Sequence, residues 1–266
     1  MTLADKLAVV TGAGSGIGRA TALAFAAEGA RVAACDVDQG RLDSLRAELG
    51  DRAHEVRKVD VADRAQMASF ADAVGVADIV VNNAGVAVGG TFLDTSLDDW
   101  DWLLGVNLKG VVHGCHFFIP KMVARGSGGH VINISSIFGI FPAPNTSAYV
   151  ASKFAVLGMS QSLRAELAPH KIGVTAICPG MIATQIVADS RMSAGISPRK
   201  EKVVGIFRER GLAPAKVAEA ILDAVRTNPA VRTVGKDAWA IHQLVKVAPR
   251  AAQKLGSSLS KRFGAG

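Results

Sequence analysis

One tyrosine, Tyr149, and three cysteines, Cys35, Cys115 and Cys178, are all that the chain has of either residue. The cysteines are far apart and lie inside apolar runs. That excludes a disulfide framework or a cysteine metal cluster and points to small buried side chains in a reducing compartment. No uninterrupted apolar run reaches the roughly 18 residues of a membrane span. The first residues lead straight into a strand, without a charged stretch followed by an apolar one, so the expectation is a soluble cytoplasmic protein. Acidic residues are missing after Asp237, where Lys246, Arg250, Lys254, Lys261 and Arg262 all fall. Those five account for most of the net charge of +7. The basic character belongs to the tail, which argues against a nucleic-acid partner.

What is abundant is glycine and small apolar side chains: 28 glycines and 49% hydrophobic residues indicate a well-buried core rather than disorder. A length of 266 residues suits one large domain over 1–266. Lys6 to Thr11 reads as a short apolar strand. It runs into Gly12-Ala13-Gly14-Ser15-Gly16-Ile17-Gly18 and then an alanine-rich helical pattern from Arg19 to Glu28. Strand, glycine turn and helix together place free backbone N–H groups where a pyrophosphate can sit. Arg31 to Asp36 is a second strand, with Asp36 at its end, at about the distance expected for an acid that bonds an adenosine ribose. A carboxylate there repels a 2′-phosphate, and neither Val37 nor Ser15 offers a cation to hold one, so NAD is favoured over NADP. The competing role for such an aspartate, capping the helix from Gln39 to Leu49, suits Asp38 better.

The alternation continues with strands at His54–Val61, Asp78–Asn82, Gly129–Ser136 and Lys171–Cys178. Helical patterns cover Arg64–Val74, Leu97–Ala124 and Thr146–Pro169. Strands alternating with helices of this length predict an α/β fold, a Rossmann-like doubly wound parallel sheet flanked by helices on both faces. The strand ends then bring Gly12–Gly18, Asp36, Asp60, Asn83, Ser136 and Pro179–Thr184 to one rim. Asn107, inside a helical pattern, is either a solvated surface residue or a local opening that holds a water. His113 and His116 stand one turn apart beside Phe117 and Phe118. Without a third ligand nearby, packing is favoured over a metal site.

Tyr149 and Lys153 are four residues apart, so on a helix the phenol and the ammonium share a face. A phenol titrates near pH ~10. A cation beside it favours the phenolate and brings the pKa towards the working range of an acid/base catalyst. The same spacing arises by chance on many helices, and only its surroundings decide.

With Thr11-Gly12-x3-Gly16-x-Gly18, Asp60-Val61, Asn82-Asn83-Ala84-Gly85, Asn107, Ser136, Tyr149-x3-Lys153 and Pro179-Gly180 in this order, the chain resembles the short-chain dehydrogenase/reductase family from residue 5 to about 185. The resemblance implies an NAD-dependent oxidoreductase that interconverts an alcohol and a ketone or aldehyde. Tyr149 would be the acid/base, Lys153 would lower its pKa and hold the nicotinamide ribose, Ser136 would bond the reacting oxygen, and Asn107 would anchor a relay water. Cofactor contacts would come from the turn (Gly12, Ser15, Gly16, Ile17, Gly18), from Asp36, Asp60 at the adenine with Val61, Asn83 and Gly85, and from Pro179, Gly180, Ile182 and Thr184. No metal is implied.

Two stretches depart from the pattern. Residues 185–211 form the expected substrate lid. Their apolar side chains, with the Ile137–Pro142 run, suit a bulky hydrophobic substrate. After a helix from Pro214 to Thr227 and a strand at Val231–Val234, the relatives' Asp-Gly-Gly ending is replaced by a basic helical extension, 236–266, broken at Pro249. There Ala252, Leu255, Leu259 and Phe263 oppose Arg250, Lys254 and Lys261. Such a helix covers the pocket or a partner subunit, or lies on an anionic membrane, the last less favoured. The change weakens the case for a tetramer, while a dimer through the helices carrying Asn107 and Tyr149 stays open. The alternatives to an enzyme are a dinucleotide sensor without catalysis and a peripheral membrane protein.

Overall fold

The computed structural model describes residues 2–193, 197–252 and 254. Seven strands form one sheet: β1 (Leu7–Thr11), β2 (Arg31–Asp36), β3 (Ala53–Lys58), β4 (Ile79–Asn82), β5 (Gly129–Ile134), β6 (Ile172–Pro179) and β7 (Val231–Val234). Their order is β3-β2-β1-β4-β5-β6-β7, and every neighbouring pair is parallel. β1, β5 and β6 are buried along their whole length, which is why they read as continuous apolar runs.

Side chains alternate across the sheet and build two cores. Ala8 and Val10 face the layer of α1 (Gly16–Ala27), α2 (Gln39–Leu49) and, further along the chain, Pro214–Thr227, with Phe25, Leu42, Leu45 and Ile221 inside it. Leu7 and Val9 face α3 (Arg64–Val74) and two helices that follow β4, where Phe70, Phe118, Met122 and Val156 pack. The chain leaves β1 outwards to β2 and β3, then returns to the other side of β1 as β4. That reversal opens a crevice at the strands' C-terminal ends, the usual ligand position in such sheets.

The helical pattern from Leu97 to Ala124 is three pieces: α4 (Leu97–Leu104), a π turn (Gly105–Lys109) and α5 (Gly110–Arg125). Asn107 sits in the π turn, fully buried, so it is not a solvated surface residue. Its Oδ1 accepts from the Val86 N–H at 2.8 Å, while its Nδ2 donates to the Val86 carbonyl at 2.9 Å and to Ser152 Oγ at 3.2 Å. The helix is opened as that expectation allowed, but the amide itself is engaged by protein partners. β3 ends at Lys58, three residues before its expected end, because the chain turns at Asp60, whose Oδ1 accepts from the Ala62 N–H at 2.9 Å.

α6 (Ser147–Leu167) follows β5 and packs beside the π turn. The expected lid contains a turn over 185–189, a two-residue strand, Arg191–Met192, paired in parallel with Val88–Gly89, and α7 (Lys200–Arg210). α8 (Pro214–Thr227) leads to β7, and α9 (Lys236–Val247) follows Gly235. The helical path breaks at Ala248 and resumes at Pro249, the position where a missing N–H costs nothing. Ala252 is buried. Leu255, Leu259, Lys261 and Phe263 of the expected amphipathic helix, and Arg262 of the basic tail, lie outside the described residues. Among the described residues no helix is long and apolar enough to cross a membrane.

Candidate active site

The glycine turn after β1 is built for close approach. Gly12 and Gly16 have φ of +62° and +51°, conformations that L side chains rarely adopt. A methyl on Gly18 would stand 2.0 Å from the Gly12 carbonyl oxygen, so the first turn of α1 lies flat against the loop. Ser15 occupies the N-cap without capping through its side chain, and no acidic residue follows in the first turn. The helix therefore presents open amides and the positive end of its dipole, the arrangement that receives an anion. Half-buried Ile17 packs down against the core and leaves the outer side of the turn clear.

Two neighbouring strand ends stiffen this turn. Thr11 Oγ1 accepts the Asn83 and Ala84 amides at 3.0 and 3.1 Å, and Asn83 Nδ2 returns to the Thr11 and Gly12 carbonyls at 2.9 and 3.1 Å. On the other side Asp36 Oδ2 accepts the Gly14 amide at 2.8 Å and its Oδ1 the Asp38 amide at 3.1 Å. Asp36 is thus fixed at the end of β2, and Asp38 is the N-cap of α2, its side chain accepting from the Arg41 amide. Arg41, which the sequence did not single out, has its Cβ beside Gly14, on which the Asp36 carboxylate also closes. It is paired with Asp38 at 3.2 Å and lies within 4.0 Å of Asp189. Asp60 is exposed just beyond β3, with Val61 buried next to it and its carbonyl accepting from His113 Nδ1 at 2.8 Å. His113 and His116 both lean on the Phe117 ring.

At the other end of the crevice β5 delivers Ser136 and α6 delivers Tyr149 and Lys153. The Ser136 side chain lies near enough to the Tyr149 hydroxyl to favour its ionised form. Its Oγ also accepts the Phe138 amide at 3.1 Å, and the Phe138 ring stands edge-on to the phenol. Lys153 is almost wholly buried, its Nζ donating to the Ile134 carbonyl at 3.0 Å and lying 5.6 Å from the centre of the Tyr149 ring. Ser135 Oγ donates to the Lys153 carbonyl at 2.8 Å, tying the base of α6 to β5. A methyl on Gly85 would stand 3.4 Å from Asn107 Oδ1 and 3.5 Å from Lys153 Nζ. Glycine there keeps open the space where these two groups converge.

Burial dominates the electrostatics. The protein crowding half-buried Tyr149 pushes its phenol up to about 12, with the nearby Ser136 side chain acting the other way. Burial also pulls the Lys153 ammonium down to about 8. The spacing predicts that Lys153 draws the phenol down; within the protein alone, burial sets the direction and the phenol is raised.

The loop after β6 joins the two ends. Thr184 lies over the glycine turn, its methyl 3.1 Å from where a Gly16 side chain would begin. Pro179 ends β6 and pairs with Val234. The Gly180 amide donates to the Val234 carbonyl at 2.9 Å and the Met181 amide to Asp237 Oδ2 at 3.0 Å. Beyond Ile182, the Ala183 amide donates to the Leu212 carbonyl at 2.9 Å. Ile182 is buried, and among the described residues its amide has no acceptor. Asp237 was also not singled out; it sits in the stretch that departs from the family pattern, where no motif marks it. An open cleft of about 550 Å³ lies near this loop, lined by Met181, Arg210, Leu212 and Trp239 and by none of Ser136, Tyr149 or Lys153.

A family model described as short chain dehydrogenase matches residues 6–194. The chain belongs to the short-chain dehydrogenases. This dehydrogenase is 43% identical over 259 residues to the protein named "Probable oxidoreductase EphD" of Mycobacterium tuberculosis, a match that takes in 93% of this chain and 44% of EphD. The chain thus spans less than half the length of that relative. It is 36% identical over 228 residues to the 3-oxoacyl-[acyl-carrier-protein] reductase FabG of Thermotoga maritima, covering 84% of this chain and 91% of FabG. Among solved structures it resembles a short chain dehydrogenase/reductase from Burkholderia phymatum in complex with NAD, with a TM-score of 0.86 and 29% identity over 94% of this chain and 96% of that one. Family and parallel α/β fold agree with the sequence-based expectation.

Proposed function

We propose that this short-chain dehydrogenase interconverts a secondary alcohol and a ketone with NAD as its redox partner. The observation that carries the proposal is the convergence of Ser136 and Tyr149 beside the buried Lys153, whose Nζ lies 5.6 Å from the centre of the phenol ring, at one end of a crevice whose other end is an uncapped helix behind a glycine turn. The crevice fits a dinucleotide at three points. The open amides of α1 suit the pyrophosphate. The fixed Asp36 carboxylate suits the ribose hydroxyls and rejects a 2′-phosphate, with Val61, Asn83 and the exposed Asp60 nearby at the adenine end. The unpartnered Ile182 amide suits a carboxamide oxygen. The Burkholderia relative, which binds NAD, supports the same choice.

When bound, the nicotinamide supplies or accepts the hydride. The chain's residues do the rest. In reduction, Tyr149 gives its hydroxyl proton to the carbonyl oxygen as that oxygen gains charge, and Ser136 donates a hydrogen bond to the same oxygen. In oxidation the proton travels the other way, from alcohol to Tyr149. Lys153 stabilises the phenolate left behind, and its depressed pKa lets it pass a proton on at neutral to mildly alkaline pH. The π turn holds Asn107 beside Lys153, and a change from α to π bonding frees a carbonyl, so we assign this segment the water that carries protons from Lys153 to solvent.

Ile137, Ile140 and Phe141 are buried next to Ser136, and half-buried Phe138 faces Tyr149. This apolar wall supports a bulky hydrophobic substrate, with the segment 185–211 as its cover. FabG's named substrate, a 3-oxoacyl group, is a ketone of that kind. Val112 on α5 and Phe154 on α6 are exposed, and we assign these helices to a homodimer interface. The test is NADH oxidation against alkyl and aryl ketones beside small polyols run in the oxidative direction. Turnover of hydrophobic ketones that is lost in Tyr149→Phe supports the proposal; turnover that survives the substitution contradicts it.

A further inference from the structure

We propose that Asp237, in the first turn of α9, is a positioning residue for the nicotinamide end of the crevice; the proposal rests on the dinucleotide reading above. The short strand Val231–Val234 is followed by Gly235 and then directly by α9, so the extension turns back along the rim and packs against the 137–139 turn next to Ser136. Buried Ala238 anchors its start.

From there the Asp237 carboxylate reaches the loop after β6. Oδ2 accepts the Met181 amide at 3.0 Å. A methyl on Gly180 would stand 2.3 Å from Oδ2, and one on Gly235, whose φ is +108°, would stand 2.3 Å from Oδ1. Only glycine on both sides lets the carboxylate into this slot. A charged acceptor makes a stronger hydrogen bond than a neutral one, and the position is otherwise exposed to water, where a surface aspartate has no need of such a slot.

What the bond controls is the direction of the next amide. The Met181 carbonyl accepts the Leu212 amide at 2.9 Å. Carbonyl and N–H point in opposite directions across a trans peptide, so the Ile182 N–H faces away from Leu212. Met181 is therefore gripped at its N–H by Asp237 and at its carbonyl by Leu212, and the amide left open is that of Ile182. Among the amides of residues 180, 181, 183 and 184, Met181's is the one bonded to a side chain; the others donate to main-chain carbonyls. A side chain from the extension thus sets the one amide of residues 180–184 that is left open to meet the cofactor's carboxamide.

The experiment uses the full chain and two probes. NADH binding is followed by nicotinamide fluorescence and ADP-ribose binding, which lacks the nicotinamide, by calorimetry. Asp237→Ala should raise the NADH Kd at least about tenfold, the loss expected for one hydrogen bond to a charged group, and should diminish the fluorescence gain. ADP-ribose affinity should stay within about twofold, because the pyrophosphate turn is untouched. Asp237→Asn keeps an acceptor oxygen and should recover most of the loss. If Asp237→Ala does not fold, Gly235→Ala provides the same displacement from the other side and should show the same selective loss. Equal weakening of both probes, or wild-type NADH binding and fluorescence in the folded variants, overturns the proposal alone. A wild-type chain that binds neither probe overturns the dinucleotide reading together with it.

Discussion

Lys153 reaches back from α6 to the Ile134 carbonyl at the end of β5, Nζ to O 3.0 Å, and is almost wholly buried there. A buried ammonium with one protein acceptor is costly to keep. On the proposed mechanism its retention is explained by stabilisation of the phenolate beside it. Lys153→Met should lower kcat about 10²- to 10⁴-fold, the usual contribution of acid/base assistance, while leaving the melting temperature unchanged or higher. Steady-state rates and thermal unfolding of the same sample check both halves.

Asp36 spends both carboxylate oxygens on amides, those of Gly14 and Asp38. Asp36→Asn keeps an acceptor for one of them and removes the charge. The ratio of kcat/KM for NADPH to that for NADH should rise at least about tenfold, the removal of one close like-charge repulsion. An unchanged ratio would show that the preference is set elsewhere.

A Gly18 side chain would collide with the Gly12 carbonyl oxygen at 2.0 Å. Gly18→Ala should therefore open the turn and abolish measurable NADH binding, read by fluorescence titration, with circular dichroism confirming that the sheet persists.

His130 lies on β5, far from the site, with Nε2 3.0 Å from Thr175 Oγ1. Burial holds its pKa down at about 4, and the Arg164 cation adds to this. Arg164 is itself bonded to the Asn228 side chain and to the Val174 and Asn228 carbonyls, so no carboxylate among these contacts offsets the cation. Because the folded pKa lies below the unfolded value of about 6.5, the unfolded chain binds more protons between these limits. Stability present above pH ~6.5 is lost as the pH falls towards ~4, by about 2–3 kcal/mol from this residue. Urea unfolding at neutral and acid pH should show that loss in the wild type and a smaller one in His130→Gln.

Parallel strands announce themselves because both faces are buried, so β1, β5 and β6 were legible as apolar runs, and with them the rim that gathers Ser136, Asp36 and the glycine turn. The π turn at Asn107 was not: one extra residue in a helical pattern of this length leaves the apolar period almost unchanged. Asp237 and the pairing of Arg41 with Asp189 escaped notice because the partners, Met181 and Asp189, are chosen by how loops and helices meet in space. The direction of the phenol's shift was not legible: the spacing to Lys153 pointed downwards, while the cause that prevails, burial, is something no local spacing reports.

The central claim is that Tyr149 works as an acid/base although the protein alone holds its pKa near 12. A second positive charge, arriving with oxidised nicotinamide, must then bring the phenol into range. Since Tyr149 is the sole tyrosine, tyrosinate absorbance during a pH titration reports this one group. The account predicts a midpoint near 12 for the free protein and a fall of at least about two units with NAD⁺ bound, equivalent to ~2.7 kcal/mol in favour of the phenolate. A midpoint that stays put when NAD⁺ binds would contradict it.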